Sequence, residues 1–288
     1  MNKFAVIGAS GYIAPRHVEA IKFVNGELVA LLDPYDGIGY IDKYYPNASY
    51  FKESERFDRH LDRLRRKGNG VDYVSICSPN YLHDSHIRLA LRNQCNVICE
   101  KPLVLIHEHL DALKTIEKET GKTINTILQL RHHPVIKNLK EKFHKTNSTH
   151  KVKLNYITPR GLWYNYSWKG DISKSGGLAS NIGIHFFDML IWIFGSVEDY
   201  KTNNSDKKTS GTLFLKNAKV EYNLSTDKND LPWKEWKPFR SISVDGEELE
   251  FSNGFTDLHS ISYQEILQGN GFGLNDVEET IKLIENIR

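Results

Sequence analysis

Two groups of side chains in this chain have the types and spacing that proton-transfer chemistry requires. Lys101 stands at the end of an apolar, strand-like run, where a side chain would face a ligand and not bulk water. Further along, His185 follows Asn181 by four residues and precedes Asp188 by three. Lysine and histidine are the side chains whose pKa values burial and neighbouring charges bring close to neutral pH. We therefore predict that Lys101 and His185 are catalytic.

The segment around His185 predicts an apolar helix that begins after Gly177 and ends near Phe194, before Gly195. Asn181, His185 and Asp188 share one face of this helix by their spacing. A lone histidine on such a helix is usually a core residue with its hydrogen bonds satisfied. Three polar side chains on one stripe of a buried helix need partners, and a binding site provides them.

A glycine-rich loop at 8–14 joins the first predicted strand to the first predicted helix. Its spacing is G-x-x-G-x-x-A, which is typical of a pyrophosphate-binding turn but also of an ordinary tight turn. Asp33 follows the second strand, 25 positions after Gly8, where a carboxylate accepts hydrogen bonds from an adenosine ribose and repels a 2′-phosphate. The loop residues expected to contact the cofactor are Gly8, Ser10, Gly11, Tyr12 and Ile13. With Asp33 they predict NAD in preference to NADP.

Polar residues also follow the next two predicted strands. Ser78, Asn80 and His83 come after one of them, and Glu100 with Lys101 ends the other. The carboxyl ends of parallel strands lie at one edge of a sheet, where ligands collect, so these residues are further candidates for cofactor contact. The segment 78–83 fits the capped start of a helix equally well. A dinucleotide loop together with Lys101 and His185 predicts hydride transfer.

The composition excludes several classes of protein. The 38 basic and 36 acidic residues leave a net charge of +2, which gives no reason to expect nucleic acid or an anionic membrane as a partner. The cysteines Cys77, Cys95 and Cys99 are odd in number and lack zinc-site spacing, so we predict buried thiols, a cytoplasmic protein and no metal. We expect no apolar run to reach the about 18 residues that span a bilayer.

The order of the elements predicts the fold class, which is α/β. Short apolar strands alternate with amphipathic helices over the first 125 residues, and this pattern predicts a doubly wound parallel Rossmann sheet. Longer alternating strands follow, joined by hairpin signals at 217–218 and 245–246, and two helices close the chain. We predict domains at 1–125, for NAD binding, and 126–288, an α+β domain with a large, open-faced, mostly antiparallel sheet.

These motifs occur together and in order, and the chain thereby resembles the superfamily of glucose-fructose oxidoreductase, inositol dehydrogenase and rhizopine catabolism proteins. The resemblance rests on the glycine-rich turn, the segment 78–83, Glu100-Lys101-Pro102, and Gly176-Gly177 followed by His185 and Asp188. It implies an NAD(P)-binding Rossmann domain and a C-terminal open-faced sheet. It also implies a homo-oligomer, a dimer or homotetramer, assembled through that sheet.

Four further segments are similar to the sugar-nucleotide branch of this superfamily, and they span 12–17, 128–131, 176–183 and 254–259. The similarity implies oxidation of a UDP-N-acetylglucosaminuronic acid at C3, a step toward the diacetamido-uronic acids of lipopolysaccharide O-antigen. Gln129 joins the cofactor contacts on this basis. NADH could be reoxidised after release or by reducing a second substrate such as 2-oxoglutarate, and the sequence leaves both open.

A UDP-uronate carries a carboxylate and a diphosphate, both of which match the planar fork of arginine. Arg16, Arg131 and Arg160 are the candidates. Arg160 opens the aromatic stretch 160–169, which includes Tyr164 and could stack on sugar or uracil. The same stretch could instead pack over the sheet or at a subunit contact.

In the mechanism that the resemblance implies, the C3 hydroxyl lies between Lys101 and His185, and either could be the base. The superfamily commonly has aspartate four residues before the histidine, whereas this chain has Asn181. We therefore expect Asn181 to orient a substrate hydroxyl and Asp188 to orient the imidazole. A free polyol or inositol as substrate, and a non-catalytic sensor that binds NAD or a sugar nucleotide, are the alternatives.

Overall fold

The computed structural model of the protein describes residues 1–143, 148–249 and 257–288. The chain forms two compact units. Unit 1 comprises Met1–Gln129 and Asp257–Glu278, and unit 2 comprises Leu130–Thr256 and Glu279–Arg288. The division predicted from the sequence, 1–125 and 126–288, differs mainly in that 257–278 lies with unit 1.

The sheet of unit 1 has six parallel strands in the order β3-β2-β1-β4-β5-β6. Their bounds are β1 Lys3–Ile7, β2 Glu27–Leu32, β3 Ser49–Phe51, β4 Tyr73–Ile76, β5 Asn96–Cys99 and β6 Ile124–Thr126. The apolar runs predicted five of these strands and the parallel sheet correctly. Strand β3 was missed because it has three half-buried residues at the sheet edge and so no apolar run.

The strand order reverses between β1 and β4, so the crevice in which doubly wound folds bind ligands lies beyond the carboxyl ends of these two strands. The glycine loop follows β1, and Ser78 follows β4. Both predicted cofactor segments therefore begin at this switch point.

Helices connect the strands of unit 1. They are α1 Ala14–Phe23, α2 Ser54–Arg66, α3 His83–Arg92 and α4 Glu108–Thr120. Helix α4 has the bounds that its sequence pattern predicts and ends at Gly121, whose φ of 64° suits a residue without a Cβ.

Two helices near the C-terminus, α10 Leu258–Leu267 and α11 Leu274–Asn286, complete the chain. Helix α10 belongs to unit 1 because Tyr263 is fully buried there. Its ring lies 6.0 Å from the Phe4 ring and 5.7 Å from that of His17, measured between ring centroids. Sequence order alone gave no sign that this segment returns to the first sheet.

The sheet of unit 2 is mixed, in the order β12-β11-β7-β10-β9-β8. Its strands are β7 His150–Ile157, β8 Val197–Ser205, β9 Lys208–Leu215, β10 Ala218–Ser225, β11 Phe239–Val244 and β12 Glu247–Glu248. The neighbours β7 and β10 run parallel, and the other pairs are antiparallel. The expected antiparallel character holds except at this pair, where the long connection through helices and a hairpin lets β10 return in the same direction as β7.

The alternating pattern of the sequence also predicts one strand over 241–251, but β11 ends at Val244, and a turn with positive φ at Asp245 and Gly246 leads to β12. Residues 250 and 251 of that prediction lie outside the described residues. So do Gly254, Phe255 and Thr256 of the segment 254–259.

The helices of unit 2 precede and interrupt its strands. They are α5 Gln129–His132, which begins at the last residue of unit 1, α6 Pro134–Phe143, α7 Leu162–Tyr166, α8 Ile172–Ser175 and α9 Ile184–Phe194. A π-helical turn, Ala179–Gly183, leads directly into α9. Gly183 is required at this point, because a Cβ there would lie 2.7 Å from the Phe187 ring and 3.0 Å from Leu224 on β10.

The π turn corrects the prediction of a regular α-helix through Asn181. Asn181 lies inside the turn and His185 lies beyond it, so their spacing of four residues is no longer one α-helical turn. The segment Ile172–Phe194 also has the length and apolarity of a membrane span, contrary to the expectation from the sequence, but 72% of its most apolar window is buried in the protein. Such burial is typical of a core helix.

Candidate active site

The glycine loop of unit 1 is held against the end of β4. Gly8 has a φ of 83°, and a Cβ at this position would lie 2.5 Å from the backbone nitrogen of Ser78. The amide of Gly11 donates to the carbonyl of Gly8 at 3.1 Å, which closes the turn ahead of α1. Position 8 therefore accepts only glycine, and the loop leads into a helix N-terminus that suits a pyrophosphate.

Asp33 is fixed beside this loop. Its carboxylate is buried and accepts the amide of Ser10 on Oδ2 and the amide of Tyr35 on Oδ1, both at 2.9 Å. A carboxylate has about four lone-pair sites, so two amide bonds leave acceptor capacity for ribose hydroxyls. Tyr12 and Arg16, also predicted site residues, are exposed in this part of unit 1, and Ile13 is half-buried.

Ser78, Asn80 and His83 are all buried after β4. The ring nitrogens of His83 face two carbonyl oxygens, with Nδ1 at 2.7 Å from that of Pro102 and Nε2 at 2.9 Å from that of Ser78. Burial lowers the pKa of His83, and the two carbonyl contacts oppose that shift. His83 thereby ties the end of β4 to the turn after β5, which gives it a structural role beside the predicted cofactor contact.

His86 was not predicted from the sequence. Its Nδ1 lies 2.9 Å from the hydroxyl of Ser78, and burial lowers its pKa to about 4. His86 is therefore neutral at pH 7, and its Nδ1 forms a hydrogen bond with the Ser78 hydroxyl. This contact fixes the Ser78 side chain.

The turn after β5 carries Glu100, which is buried, and Lys101, which is half-buried and joined to Pro102 by a cis peptide bond. Glu100 Oε1 accepts hydrogen bonds from Nε2 of His17 on α1 at 3.0 Å and from Nε2 of His259 on α10 at 2.9 Å. Burial raises the pKa of Glu100, but the two imidazole donors outweigh it and hold that pKa well below its usual range. The carboxylate is therefore ionised.

The atoms of His17, Glu100 and His259 that could bind a metal ion lie within 4.8 Å of one another. In the described part of the chain, this is the one group of three or more possible metal ligands that lie so close together. The separations of 2.9 and 3.0 Å are those of N–H···O hydrogen bonds. Because both imidazoles donate from Nε2, their lone pairs at these atoms are not available to an ion. The arrangement supports a hydrogen-bonded cluster.

Three predicted substrate residues lie together in unit 2. The amide of Asn181 donates to the hydroxyl of Tyr164 at 2.7 Å, and the Arg160 guanidinium lies 6.0 Å from the centroid of the Tyr164 ring. Arg160 is exposed, whereas Tyr164 is buried. The group brings a cation, a phenol and an amide close together.

Lys169 lies near this group and was not predicted. Its ammonium lies 5.4 Å from the ring of Trp163 and 5.6 Å from that of Trp168, distances typical of cation–π contacts. Burial lowers the pKa of Lys169, and the charge of Arg160 lowers it further. The aromatic stretch thus holds two cations, Arg160 and Lys169, near each other. In the sequence, only the number of aromatic residues in the stretch indicates such contacts.

His185 is half-buried on α9, and Asp188 is buried one turn later. The Asp188 carboxylate accepts two hydrogen bonds from Arg131, and its Oδ1 lies 3.3 Å from the donating hydroxyl of Thr280. Asp188 is therefore the counter-ion of Arg131. Its expected role toward the His185 imidazole stays a prediction.

The three cysteines are buried and free of disulfides, as predicted. Burial raises the pKa values of Cys77 and Cys99 well above the usual range, and it raises that of Cys95 to about 12. The thiols are neutral at pH 7 and act as packing groups.

Two family models match the chain. The N-terminal one, described as an oxidoreductase family with an NAD-binding Rossmann fold, covers residues 2–127, and the C-terminal α/β domain of the same family covers 147–230. The chain belongs to this oxidoreductase family. The superfamily predicted from the motifs and the NAD-binding Rossmann domain are therefore confirmed.

Among solved structures, the WlbA (WbpB) dehydrogenase from Thermus thermophilus is similar to this protein over nearly the whole chain. Its complex with NAD and UDP-GlcNAcA is 47% identical, with a TM-score of 0.95, and the match covers 99% of this chain and 94% of that one. Its complex with NAD and alpha-ketoglutarate is also 47% identical, with a TM-score of 0.96 and coverage of 100% and 96%.

A curated relative in the family is the glucose-6-phosphate 3-dehydrogenase of Bacillus subtilis, which is 25% identical over 76% of this chain. This match covers 61% of that relative. The match to an oxidoreductase from Bacillus subtilis covers 36% of that protein, and the match to a D-glucoside 3-dehydrogenase from Escherichia coli covers 49% of that one. The chain thus spans about half the length of these curated relatives.

Proposed function

We propose that the protein oxidises the C3 hydroxyl of a UDP-N-acetylglucosaminuronic acid to a ketone, with NAD as the hydride acceptor. The observation that carries this proposal is the 47% identity, over 99% of the chain, to a dehydrogenase crystallised with NAD and UDP-GlcNAcA. Lys101 and His185 are intact in this sequence, which is what a catalytic member of the family requires and a sensor does not.

Unit 1 fits NAD at the switch point of its sheet. Gly8 leaves space that a Cβ would fill, and Asp33 presents a fixed carboxylate beside the loop. Ser10, Gly11, Tyr12 and Ile13 continue the loop, and we assign Ser78, Asn80 and Gln129 as further contacts. When bound, NAD supplies the acceptor for the hydride that leaves C3.

The reaction needs one proton acceptor. The C3–H bond breaks with its electron pair, the hydroxyl proton passes to the base, and the C3–O bond becomes a carbonyl. Lys101 and His185 fill this role between them, one taking the proton and the other donating a hydrogen bond to the developing alkoxide. Each has a side chain that is neither exposed nor fully buried, as a group that must reach a ligand requires.

The anionic groups of the substrate require cations. We assign Arg160, with Tyr164 and Asn181, to the sugar or diphosphate, because these three are already linked in unit 2. Arg131 and Arg16 remain candidates. Asp188 fixes the plane of the Arg131 guanidinium by a two-point contact, which suits a positioned cation.

The complex of the Thermus enzyme with alpha-ketoglutarate supports a second half-reaction, in which 2-oxoglutarate is reduced to 2-hydroxyglutarate and NAD⁺ is regenerated. We further propose that the reaction is cytoplasmic and serves the synthesis of O-antigen sugars. Assembly as a dimer or tetramer would use the sheet of unit 2, where β8 is largely exposed and Lys219 and Glu221 on β10 point to solvent.

The test is absorbance at 340 nm after mixing the protein with NAD⁺ and UDP-N-acetylglucosaminuronic acid. We expect NADH to form with the uronate and not with UDP-N-acetylglucosamine, glucose 6-phosphate or myo-inositol. Adding 2-oxoglutarate should abolish the net absorbance while 2-hydroxyglutarate accumulates. Reaction with an unphosphorylated polyol alone would show a different substrate, and NAD binding without any turnover would favour the sensor.

A further inference from the structure

A chain of buried hydrogen bonds runs through unit 1 and ends beside Lys101. The Ser75 hydroxyl lies 2.6 Å from that of Tyr263, which lies 2.7 Å from Nδ1 of His17, and Nε2 of His17 bonds to Glu100. All four side chains are buried. Three separate elements, β4, α1 and α10, therefore converge on the residue that precedes the predicted catalytic lysine.

The direction of these bonds follows from the chemistry of the groups. A carboxylate only accepts, so Nε2 of His17 carries the proton. Burial lowers the pKa of His17, so the ring is neutral and its Nδ1 accepts the proton of Tyr263. Tyr263 in turn accepts from Ser75, and every group along the chain has a partner.

This chain does not carry protons to solvent, because it ends at Ser75, which is fully buried. Its effect is on position. Glu100 Oε1 is held by His17 and His259, and Oε2 accepts the backbone amide of Lys101 at 3.3 Å. The carboxylate thus connects two helices to the backbone of the predicted catalytic residue.

We infer that His17 and His259 are positioning residues, which act through the Glu100 carboxylate to hold the backbone of Lys101 in its catalytic place. The inference rests on the proposed role of Lys101. It assigns a function to α10, whose sequence lies about 160 positions beyond the site that it supports. Without the two imidazoles, Oε1 of Glu100 would be buried without its donors, so the carboxylate would no longer be fixed and the Lys101 amide would lose its fixed acceptor.

Three variants separate positioning from stability. His259→Leu removes the donor, His259→Gln keeps an N–H donor near the position of Nε2, and Glu100→Gln keeps an acceptor for the imidazoles but turns an amide donor toward Lys101. Gln264→Ala, at an exposed site on the same helix, controls for substitution in α10.

The first readout is hydrogen exchange at the Lys101 amide, which requires no substrate. We expect exchange to be about tenfold faster in His259→Leu and Glu100→Gln, while amides of β1 and β4 keep their protection and His259→Gln stays near wild type. Uniform loss of protection across the sheet, or no change at Lys101, would overturn the inference. This result is independent of whether the uronate is the substrate.

The second readout is steady-state kinetics with the substrate that the 340 nm assay establishes. We expect kcat to fall about 10- to 100-fold in His259→Leu, with KM and the Kd for NAD⁺ within about twofold and with partial recovery in His259→Gln. An equal loss of kcat in His259→Leu and His259→Gln, or an unchanged kcat in His259→Leu, would contradict positioning through a hydrogen-bond donor. Activity that persists after dialysis against a chelator is also expected, and its loss would reassign the cluster to a metal.

Discussion

The Arg131 guanidinium and the Asp188 carboxylate form a buried two-point ion pair in unit 2, with Nε to Oδ2 at 2.9 Å and Nη2 to Oδ1 at 2.7 Å. Both side chains are 4% exposed. The sequence predicts that Arg131 binds the substrate and that Asp188 orients His185, whereas this contact gives both residues a structural partner that spacing does not reveal.

Removing one partner of this pair should destabilise the protein strongly. Asp188→Asn leaves a buried guanidinium without its counter-ion, and we expect the free energy of unfolding to fall by about 3–5 kcal/mol. Urea denaturation measures the change. The double variant Arg131→Met with Asp188→Leu should lose less stability than Arg131→Met alone and Asp188→Leu alone lose in sum. Strict additivity of the free energies would contradict the coupling between the two residues.

Gly8→Ala should abolish NAD binding. Alanine at φ 83° would place its Cβ 2.5 Å from the Ser78 nitrogen and push apart the loop and the end of β4. Gly68→Ala is the matched control, because Gly68 also has a positive φ but has no atom within 4 Å of an added Cβ. Both variants should lose roughly 1–2 kcal/mol of stability from the backbone conformation, and only Gly8→Ala should lose NAD binding, measured by calorimetry.

Asp33 should set the preference for NAD. A 2′-phosphate placed beside this buried carboxylate would cost several kcal/mol, so we expect NADP⁺ to bind at least about 100-fold more weakly than NAD⁺. Asp33→Asn should reduce the ratio of the NADP⁺ and NAD⁺ dissociation constants by about tenfold, because the amide carries no negative charge. Titration of NAD⁺ and NADP⁺ into the wild type and into Asp33→Asn measures these affinities. Tighter binding of NADP⁺ than of NAD⁺ by the wild type would refute the assignment.

Lys101→Met and His185→Asn should each lower kcat by about 10²- to 10⁴-fold, which is the usual contribution of a general acid or base. NAD binding should persist in His185→Asn, because His185 is not among the predicted cofactor contacts. Steady-state kinetics with the uronate, followed by absorbance at 340 nm, measures the effect. Near-normal turnover in both variants would refute the catalytic assignment.

Stability should fall as the pH drops below about 6.5, the pKa of histidine in an unfolded chain. Burial lowers the pKa of His86 to about 4, so between these values the unfolded state binds the proton that the folded state refuses. His86 alone then lowers the free energy of unfolding by at most about 1.4 kcal/mol per pH unit over this window. His17 and His83, whose pKa values are also lowered, act in the same direction.

Urea denaturation at pH 7.5, 6.5 and 5.5 measures this dependence. His86→Gln keeps a polar group near Ser78 but cannot take up the proton, so its stability should vary less between pH 6.5 and 5.5 than that of the wild type. Identical slopes in the two proteins would exclude His86 as the source.

Local patterns predicted most of unit 1. The apolar runs of parallel strands are continuous because both faces are buried, and the residues at their carboxyl ends, such as Gly8, Asp33, Ser78 and Lys101, share one edge by topology alone. The apolar runs and the residues that end them are formed by residues close together along the chain. The family resemblance then followed from motifs that each lie within a few positions.

Tertiary structure decided the contacts between distant segments. His259 reaches Glu100 across 159 positions, Arg131 reaches Asp188 across 57, and β10 pairs in parallel with β7, and no periodicity in the sequence records any of these. A polar residue in an apolar pattern shows that it needs a partner but not which one it finds. The sequence by itself thus determined which chemistry each strand end carries, and packing determined which buried charges neutralise one another, because that choice depends on helices that return from far along the chain.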